Sequence, residues 1–247
     1  MNKSPDPASR SLRTLSVDIG GSGIKVLVLD DAGKPLTKRP RVKTPEPSTP
    51  AAVIETIAAL AAAQGDFDRV SIGLPGLVRD GVTETADNLD SEWVGFRLSK
   101  AVSERLGKPV RAANDADVQG LGAISGRGVE LVLTLGTGMG SALFVEGVLV
   151  PNLELVHHPF RKGKTYEEHL GRAGLKKQGK KKWNRLLAKA IKELDRLFNF
   201  DRLYLGGGNA KKITPKRPPT ATIVPNVAGL LGGISLWQDS TGHRSKN

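Results

Sequence analysis

Thr14-Leu15-Ser16-Val17-Asp18-Ile19-Gly20-Gly21-Ser22-Gly23-Ile24-Lys25-Val26-Leu27-Val28-Leu29-Asp30 is the stretch on which the fold turns. Its two apolar runs flank a glycine cluster. The run after Lys25 has no helix cap and is rich in β-prone residues, so it reads as a second strand. Asp30-Asp31-Ala32-Gly33 signals a hairpin turn, and a third strand is expected over Pro35–Val42. The chain therefore opens as an antiparallel hairpin around a glycine loop, unlike the strand–loop–helix of a Rossmann unit. Glycines let backbone N–H groups approach a phosphate closely. Gly20, Gly21, Ser22 and Gly23 are candidate phosphate ligands, with Lys25 adding charge. Asp18, at the strand end, is placed to hold Mg²⁺ through water, because Mg²⁺ keeps much of its hydration.

Working outward, Thr49 is a plausible N-cap for an Ala-rich helix over Ala51–Gln64. A buried strand, Val70–Leu74, ends at Pro75-Gly76. A helix over Leu98–Leu106 stops at Gly107, and a strand over Pro109–Ala113 runs into Asn114-Asp115. Ala116–Ser125 reads as a helix capped by that pair. Leu131–Leu135, then Gly136-Thr137-Gly138-Met139-Gly140, then Ser141–Val145 repeat the strand–glycine loop–strand pattern, with Val148–Val150 completing a hairpin. The repetition suggests a duplicated architecture. Gly136, Thr137, Gly138 and Gly140 join the candidate phosphate ligands. So do Gly207 and Gly208, which follow a strand over Leu203–Leu205. Lys182–Phe198 is a long amphipathic helix, Ile223–Val224 a short strand, and Val227–Trp237 the last helix.

An α/β architecture follows, with an N-terminal domain over 14–113 and a C-terminal domain over 114–226. The last helix, 227–237, is expected to pack back on the first domain. Residues 1–13 read as a disordered leader and 238–247 as a disordered tail. Asp115 opens a helix between the two glycine loops. A carboxylate there can accept a hydroxyl proton as the oxygen attacks phosphorus, although Asp and Asn also serve as plain helix caps.

The 247 residues carry a formal net charge of +12 and contain no cysteine. Disulfides and thiolate chemistry are excluded, and a cytoplasmic protein is expected. No apolar run approaches the ~20 residues of a membrane span. The basic balance favours polyanionic partners. Nucleic acid is not expected, since aromatic residues make up only 4% and no nucleic-acid-binding motif appears. Arg172–Arg185, with Lys176, Lys177, Lys180, Lys181 and Lys182, reads either as a solvated helix start or as a track for a polyanion.

Five motifs occur together: the Asp18–Lys25 loop, Gly73-Leu74-Pro75-Gly76, Asn114-Asp115-Ala116-Asp117, Leu135–Gly140 and Glu154-Leu155-Val156-His157. In this order they resemble the ROK family of sugar kinases, and within it the polyphosphate glucokinases. The resemblance implies an actin-like ATPase (ribonuclease H-like) fold of two α/β domains around a cleft. It implies Asp115 as general base toward a hexose 6-hydroxyl, and Gly76, Asn88, Asn114, Glu154 and His157 as sugar contacts. Glu167 or Glu168 would supply a second sugar-facing carboxylate. It implies Mg²⁺, a polyphosphate or ATP donor, and a homodimer. Many family members bind zinc through a cysteine cluster, which this chain lacks. Their Glu-Leu-Gly-His reads here with Val156 in place of glycine. An ATP-dependent hexose or N-acyl-hexosamine kinase and a non-catalytic sugar-binding relative are the alternatives.

Overall fold

The computed structural model describes residues 11–86, 88–151, 153–214, 220–225 and 227–238. The chain opens with β1 (Thr14–Gly20) and β2 (Gly23–Leu29), then a two-residue β3 (Arg41–Val42). Helix α1 (Pro50–Ala62) follows, then β4 (Arg69–Leu74), a small ribbon of β5 (Val78–Arg79) and β6 (Val82–Thr83), helix α2 (Leu98–Leu106), β7 (Val110–Asn114) and helix α3 (Asp115–Leu121). The second half runs β8 (Val129–Leu135), β9 (Met139–Val145) and β10 (Val148–Val150). A ribbon of β11 (Pro159–Arg161) and β12 (Lys164–Thr165) leads into helices α4 (Tyr166–Leu170) and α5 (Arg172–Phe198). Strands β13 (Arg202–Gly206) and β14 (Ala221–Ile223) and helix α6 (Ala228–Leu231) end it, with a 3₁₀ turn over Gly232–Trp237.

The strands form two five-stranded sheets, ordered β3-β2-β1-β4-β7 and β10-β9-β8-β13-β14. Each sheet thus runs third-second-first-fourth-fifth along its own half of the chain, so the duplication expected from the two glycine loops extends to the whole topology. β1 sits at the centre of its sheet, with the alternate residues Leu15, Val17 and Ile19 fully buried on one face and Ser16 buried on the other.

Local chemistry sets the helix ends. Thr49 caps α1, its side chain accepting from Ala52 N at 3.4 Å, and Pro50 occupies the first turn. Gly107 ends α2 in the left-handed conformation, at φ 64°. Helices α1 and α2 cover one face of the first sheet around Ile57, Trp93 and Leu98. Helices α4 and α5 cover the second around Leu170, Trp183 and Leu187. Helix α3 packs against strands of both sheets, so its N-terminus opens between them.

Four expectations change. The third strand shrinks to an isolated bridge at Pro35 and to Arg41–Val42; Pro35 and Pro40 lack the N–H a continuous ladder needs. Helix α3 ends at Leu121, where Gly122 lies against the α6 backbone: a Cβ there would sit 2.4 Å from Ala228 O. The helix that begins with the lysine run starts ten residues early, at Arg172, and breaks at Gly179 (φ 74°, ψ 157°). The last helix is one α-turn followed by a 3₁₀ turn. Gly232 and Gly233 press onto Val118 O and Ser16 there, where a side chain would not fit.

That segment does cover the first sheet. Ser16 Oγ donates to Leu230 O at 2.7 Å and Ser71 Oγ to Gly233 O at 2.6 Å. The guanidinium groups of Arg69 and Arg111 lie over the Trp237 ring, 5.0 and 4.7 Å from its centre, and Trp237 donates to Ser71 Oγ. Of the expected leader, Arg13 is already engaged: its N–H donates to Asp68 Oδ2 and its carbonyl accepts from Asp68 N. Residues 1–10 and 239–247 lie outside the described residues. No helix among those described is long and apolar enough to cross a membrane.

Candidate active site

One cleft of about 290 Å³ opens between the two sheets, and every residue named above as a phosphate, sugar, metal or catalytic candidate lines it except Glu168. Its floor is set by strand register. Asp18 pairs with Lys25 across β1 and β2, and Lys25 pairs with Arg41 across β2 and β3. Residues opposite one another share a sheet face, so the three form a charged row. Lys25 Nζ donates to Asp18 Oδ2. Arg41 Nη2 donates to Ser22 O at 2.8 Å, and its guanidinium lies 2.5 Å from where a Gly23 Cβ would be. A side chain at 23 would require the Arg41 guanidinium to move. On the other side of Asp18 the row continues to Gly73. A Cβ there would lie 3.4 Å from Asp115 Cα, so its absence lets the start of α3 come close.

Asp115 is the first residue of α3, and Asn114 is its cap. The Asn114 side chain accepts from Ala116 N at 2.7 Å and donates to Gly76 O at 3.0 Å, tying the helix start to the Pro75-Gly76 turn. Gly76 in turn packs so closely that a Cβ would meet Thr85 O at 1.9 Å. Burial pushes the Asp115 carboxyl up to about 7; the charges of Asp18 and Glu154 add to the rise, and Lys25 opposes it. Asp117, almost fully buried, is likewise raised to about 7 by burial and by the charges of Glu154 and Asp115.

The second half supplies the opposite wall. Gly136 and Gly208 have no protein atom within 4 Å of a would-be Cβ, so both present bare backbone to the cleft. Asn209 Nδ2 donates to Gly136 O at 2.7 Å, holding the second and third glycine clusters together. Gly207 is fixed at φ 83°, with Leu135 O at 2.4 Å from a would-be Cβ.

His157 lies between two carboxylates, its Nε2 3.4 Å from Glu154 Oε2 and its Nδ1 3.9 Å from Glu167 Oε2. Glu167 also accepts from Met139 N at 3.4 Å. Glu168 is used elsewhere: it forms a capping box with Thr165 and pairs with Lys164 at 2.6 Å. Of the two glutamates, only Glu167 lines the cleft. Thr165-x-x-Glu168 is a capping-box pattern readable in the sequence, and it assigns Glu168 to the start of α4. Asn88 reaches both halves, with its Cβ 3.3 Å from a would-be Gly21 Cβ and its Nδ2 3.1 Å from that of Gly138. Val156 is buried in the second core and its 3₁₀ turn does not require a left-handed residue, so the chain accommodates it where the family has glycine.

Arg172, the first residue of the basic run, also lines the cleft, as do Arg41, Gln119 and Thr134, to which no motif points. Arg41 was legible only through its register opposite Lys25. Among the described residues no group of three or more His, Cys, Asp or Glu side chains is arranged to hold a metal. A single carboxylate beside phosphate-sized space fits a Mg²⁺ that draws most of its ligands from water and donor phosphates.

Comparison with known proteins agrees with this geometry. Residues 14–151 match the model of the ROK family. The polyphosphate glucokinase of Mycobacterium tuberculosis (strain CDC 1551 / Oshkosh) is 31% identical over 244 residues, covering 92% of each chain. The crystal structure of an inorganic polyphosphate/ATP-glucomannokinase from Arthrobacter sp. strain KM superposes with a TM-score of 0.83 at 34% identity, covering 92% of this chain and all of that one. A ROK family glucokinase from Streptomyces griseus, solved with glucose and AMPPNP, superposes with a TM-score of 0.77 at 23% identity, covering 91% of this chain and 98% of that one. The fold is that of the actin-like ATPases. With its two glycine loops, its Asn114-Asp115 junction and its Glu154–His157 wall gathered in one cleft, the chain belongs to the ROK family.

Proposed function

We propose that the protein transfers the terminal phosphoryl group of polyphosphate to the 6-hydroxyl of glucose. One observation carries this reading: Asp115 lies at the start of a helix shared by both halves, on the floor of the cleft that the glycine loops and the Glu154–His157–Glu167 cluster line. The relatives named for polyphosphate support the donor. The division near Asn114 makes the cleft an interdomain one, whose closure would exclude water.

In this mechanism Glu154, His157, Glu167 and Asn88 orient the hexose. Asn114 acts mainly by position, since its side chain already caps α3 and holds Gly76. Bare backbone at Gly136 and Gly208, with Gly20, Gly21, Ser22, Gly23, Thr137, Gly138, Gly140 and Gly207, receives donor phosphates, and Lys25 and Arg41 add charge. Asp18 would hold a Mg²⁺ through water, and the ion would neutralise charge at the donor phosphates. Asp115 accepts the hydroxyl proton as the sugar oxygen attacks phosphorus in line and the bond to the leaving phosphate breaks. A carboxyl raised to about 7 is suited to take a proton at neutral pH. The family resemblance further suggests a cytoplasmic homodimer.

A panel of polyphosphate, ATP and GTP, each offered with glucose, mannose and N-acetylmannosamine, tests the reading. Glucose 6-phosphate formed fastest from polyphosphate is the expected result. Transfer from ATP alone would reject the donor, and sugar binding with no transfer from any donor would reject the kinase.

A further inference from the structure

Every charged residue from Arg172 to Lys192 is a cation. Arg172 lines the cleft, and its N–H donates to Thr137 O at 3.0 Å in the second glycine loop. Lys176 stands one helical turn further on the same face, about 6 Å along the axis. Lys177, Lys180, Lys181, Lys182 and Arg185 continue the run, all exposed, and none of them is paired with a carboxylate among the described residues. A second basic segment also leaves the cleft wall: Lys211 and Lys212 follow Gly207-Gly208 within four residues and are exposed. The two segments meet again at Asn184. Its Nδ2 donates to Lys212 O at 3.1 Å, and its Oδ1 accepts from Thr214 N at 2.8 Å. Two cationic paths thus start at the phosphate side of the cleft and are fastened together outside it.

We propose that this fastened pair of segments is a binding track for the distal part of a long, flexible polyanion whose end lies in the cleft. The inference rests on the donor reading above and deepens it: the track holds phosphates several units away from the transferred one. A solvated helix start accounts for exposed lysines. It does not account for a run without acidic residues that begins on the cleft wall and is joined to a second basic segment from the same wall. A surface this concentrated in one sign attracts a polyanion in proportion to its length, and the attraction weakens with salt.

The test compares a track variant, Lys176→Gln/Lys177→Gln/Lys180→Gln, with a charge-matched control, Lys34→Gln/Lys100→Gln/Lys108→Gln. Circular dichroism checks that both fold; if the track triple does not, Lys211→Gln/Lys212→Gln takes its place. Binding of long-chain polyphosphate and of tripolyphosphate is measured by calorimetry across a salt series. The track variant should bind the long chain about tenfold more weakly, with a slope of log affinity against log salt reduced by roughly two for three neutralised cations. The control should move far less, and so should tripolyphosphate. Equal losses in track and control variants would overturn the proposal, as would equal losses for long and short chains. Because the readout is binding, a wild-type protein that binds the long chain but transfers nothing from it rejects the donor reading alone. One that transfers from polyphosphate but binds long and short chains alike rejects the track alone.

Discussion

In the first sheet the glycine loop spans two residues, between the paired Gly20 and Gly23, and a row of charges crosses the strands behind it. In the second the loop spans three residues, between the paired Leu135 and Met139, and a row of Thr134, Gly140 and Gly206 occupies the strands behind it. The strand order is the same in both. What differs is the kind of contact each half offers. The first presents fixed charge, in Asp18, Lys25 and Arg41. The second presents backbone and small polar groups, and adds a carboxylate–histidine cluster. A duplicated frame has thus been divided between charge handling and shape recognition, and Asp115 stands where the two meet.

The sharpest way to break this comparison is at the junction. Asp115→Asn should lower kcat by about 100- to 10,000-fold while leaving sugar affinity within a few-fold; steady-state rates and a sugar titration check both. The same change should stabilise the fold above neutrality. Folding raises the Asp115 pKa from 3.8 to about 7, so in that window the folded state holds a proton that the unfolded chain has released. Stability therefore falls as pH rises from about 4 to about 7. Melting curves of Asp115→Asn should lie above wild type at pH 8 and converge with it near pH 4.

Next in size is the contrast between open and packed glycines. Gly136→Ala and Gly208→Ala meet no protein atom, so the melting temperature should hold while the KM for the phosphoryl donor rises about tenfold, the scale of one lost close contact. Gly138→Ala places a Cβ 2.0 Å from Glu167 Oε1, so it should raise the KM for the sugar as well as that for the donor. A sugar KM that rose equally in all three variants would show the assignment of loops to ligands to be wrong.

Smaller is the effect on the pH–rate profile. The rate should rise with pH through about 7 as Asp115 deprotonates. Lys25 lowers that pKa and Asp18 raises it. Lys25→Met should move the midpoint up and Asp18→Asn should move it down, whatever each does to the maximum rate. Smallest for catalysis is Trp237→Ala, which removes the stacking of Arg69 and Arg111 and should destabilise the fold by about 1–2 kcal/mol, read by denaturant unfolding.

Much of this was legible in the sequence. The C-terminal end of α2 follows from Gly107, and both hairpins follow from apolar runs around glycine. Asp115 could be singled out because it lies between the two loops in the chain. The less legible parts depend on contacts distant in sequence. Arg41 enters the site through its register with Lys25, and no local pattern announces that. The end of α3 and the 3₁₀ form of the last turn are both set by Gly122 and Gly232 pressing on each other's helices. Propensity alone favours continuing both helices, and tertiary packing overrides it.

The closing segment has a consequence for the order in which the protein is made. Leu230 and Gly233 cover Ser16 and Ser71, which lie 214 and 162 residues earlier in the chain, and Gly229 contributes to the cleft itself. During synthesis the first sheet has α1, α2 and α3 to pack against long before its last cover emerges. The cleft lining is complete only when the closing turn docks, so the part of the chain made last is also the part that finishes the site.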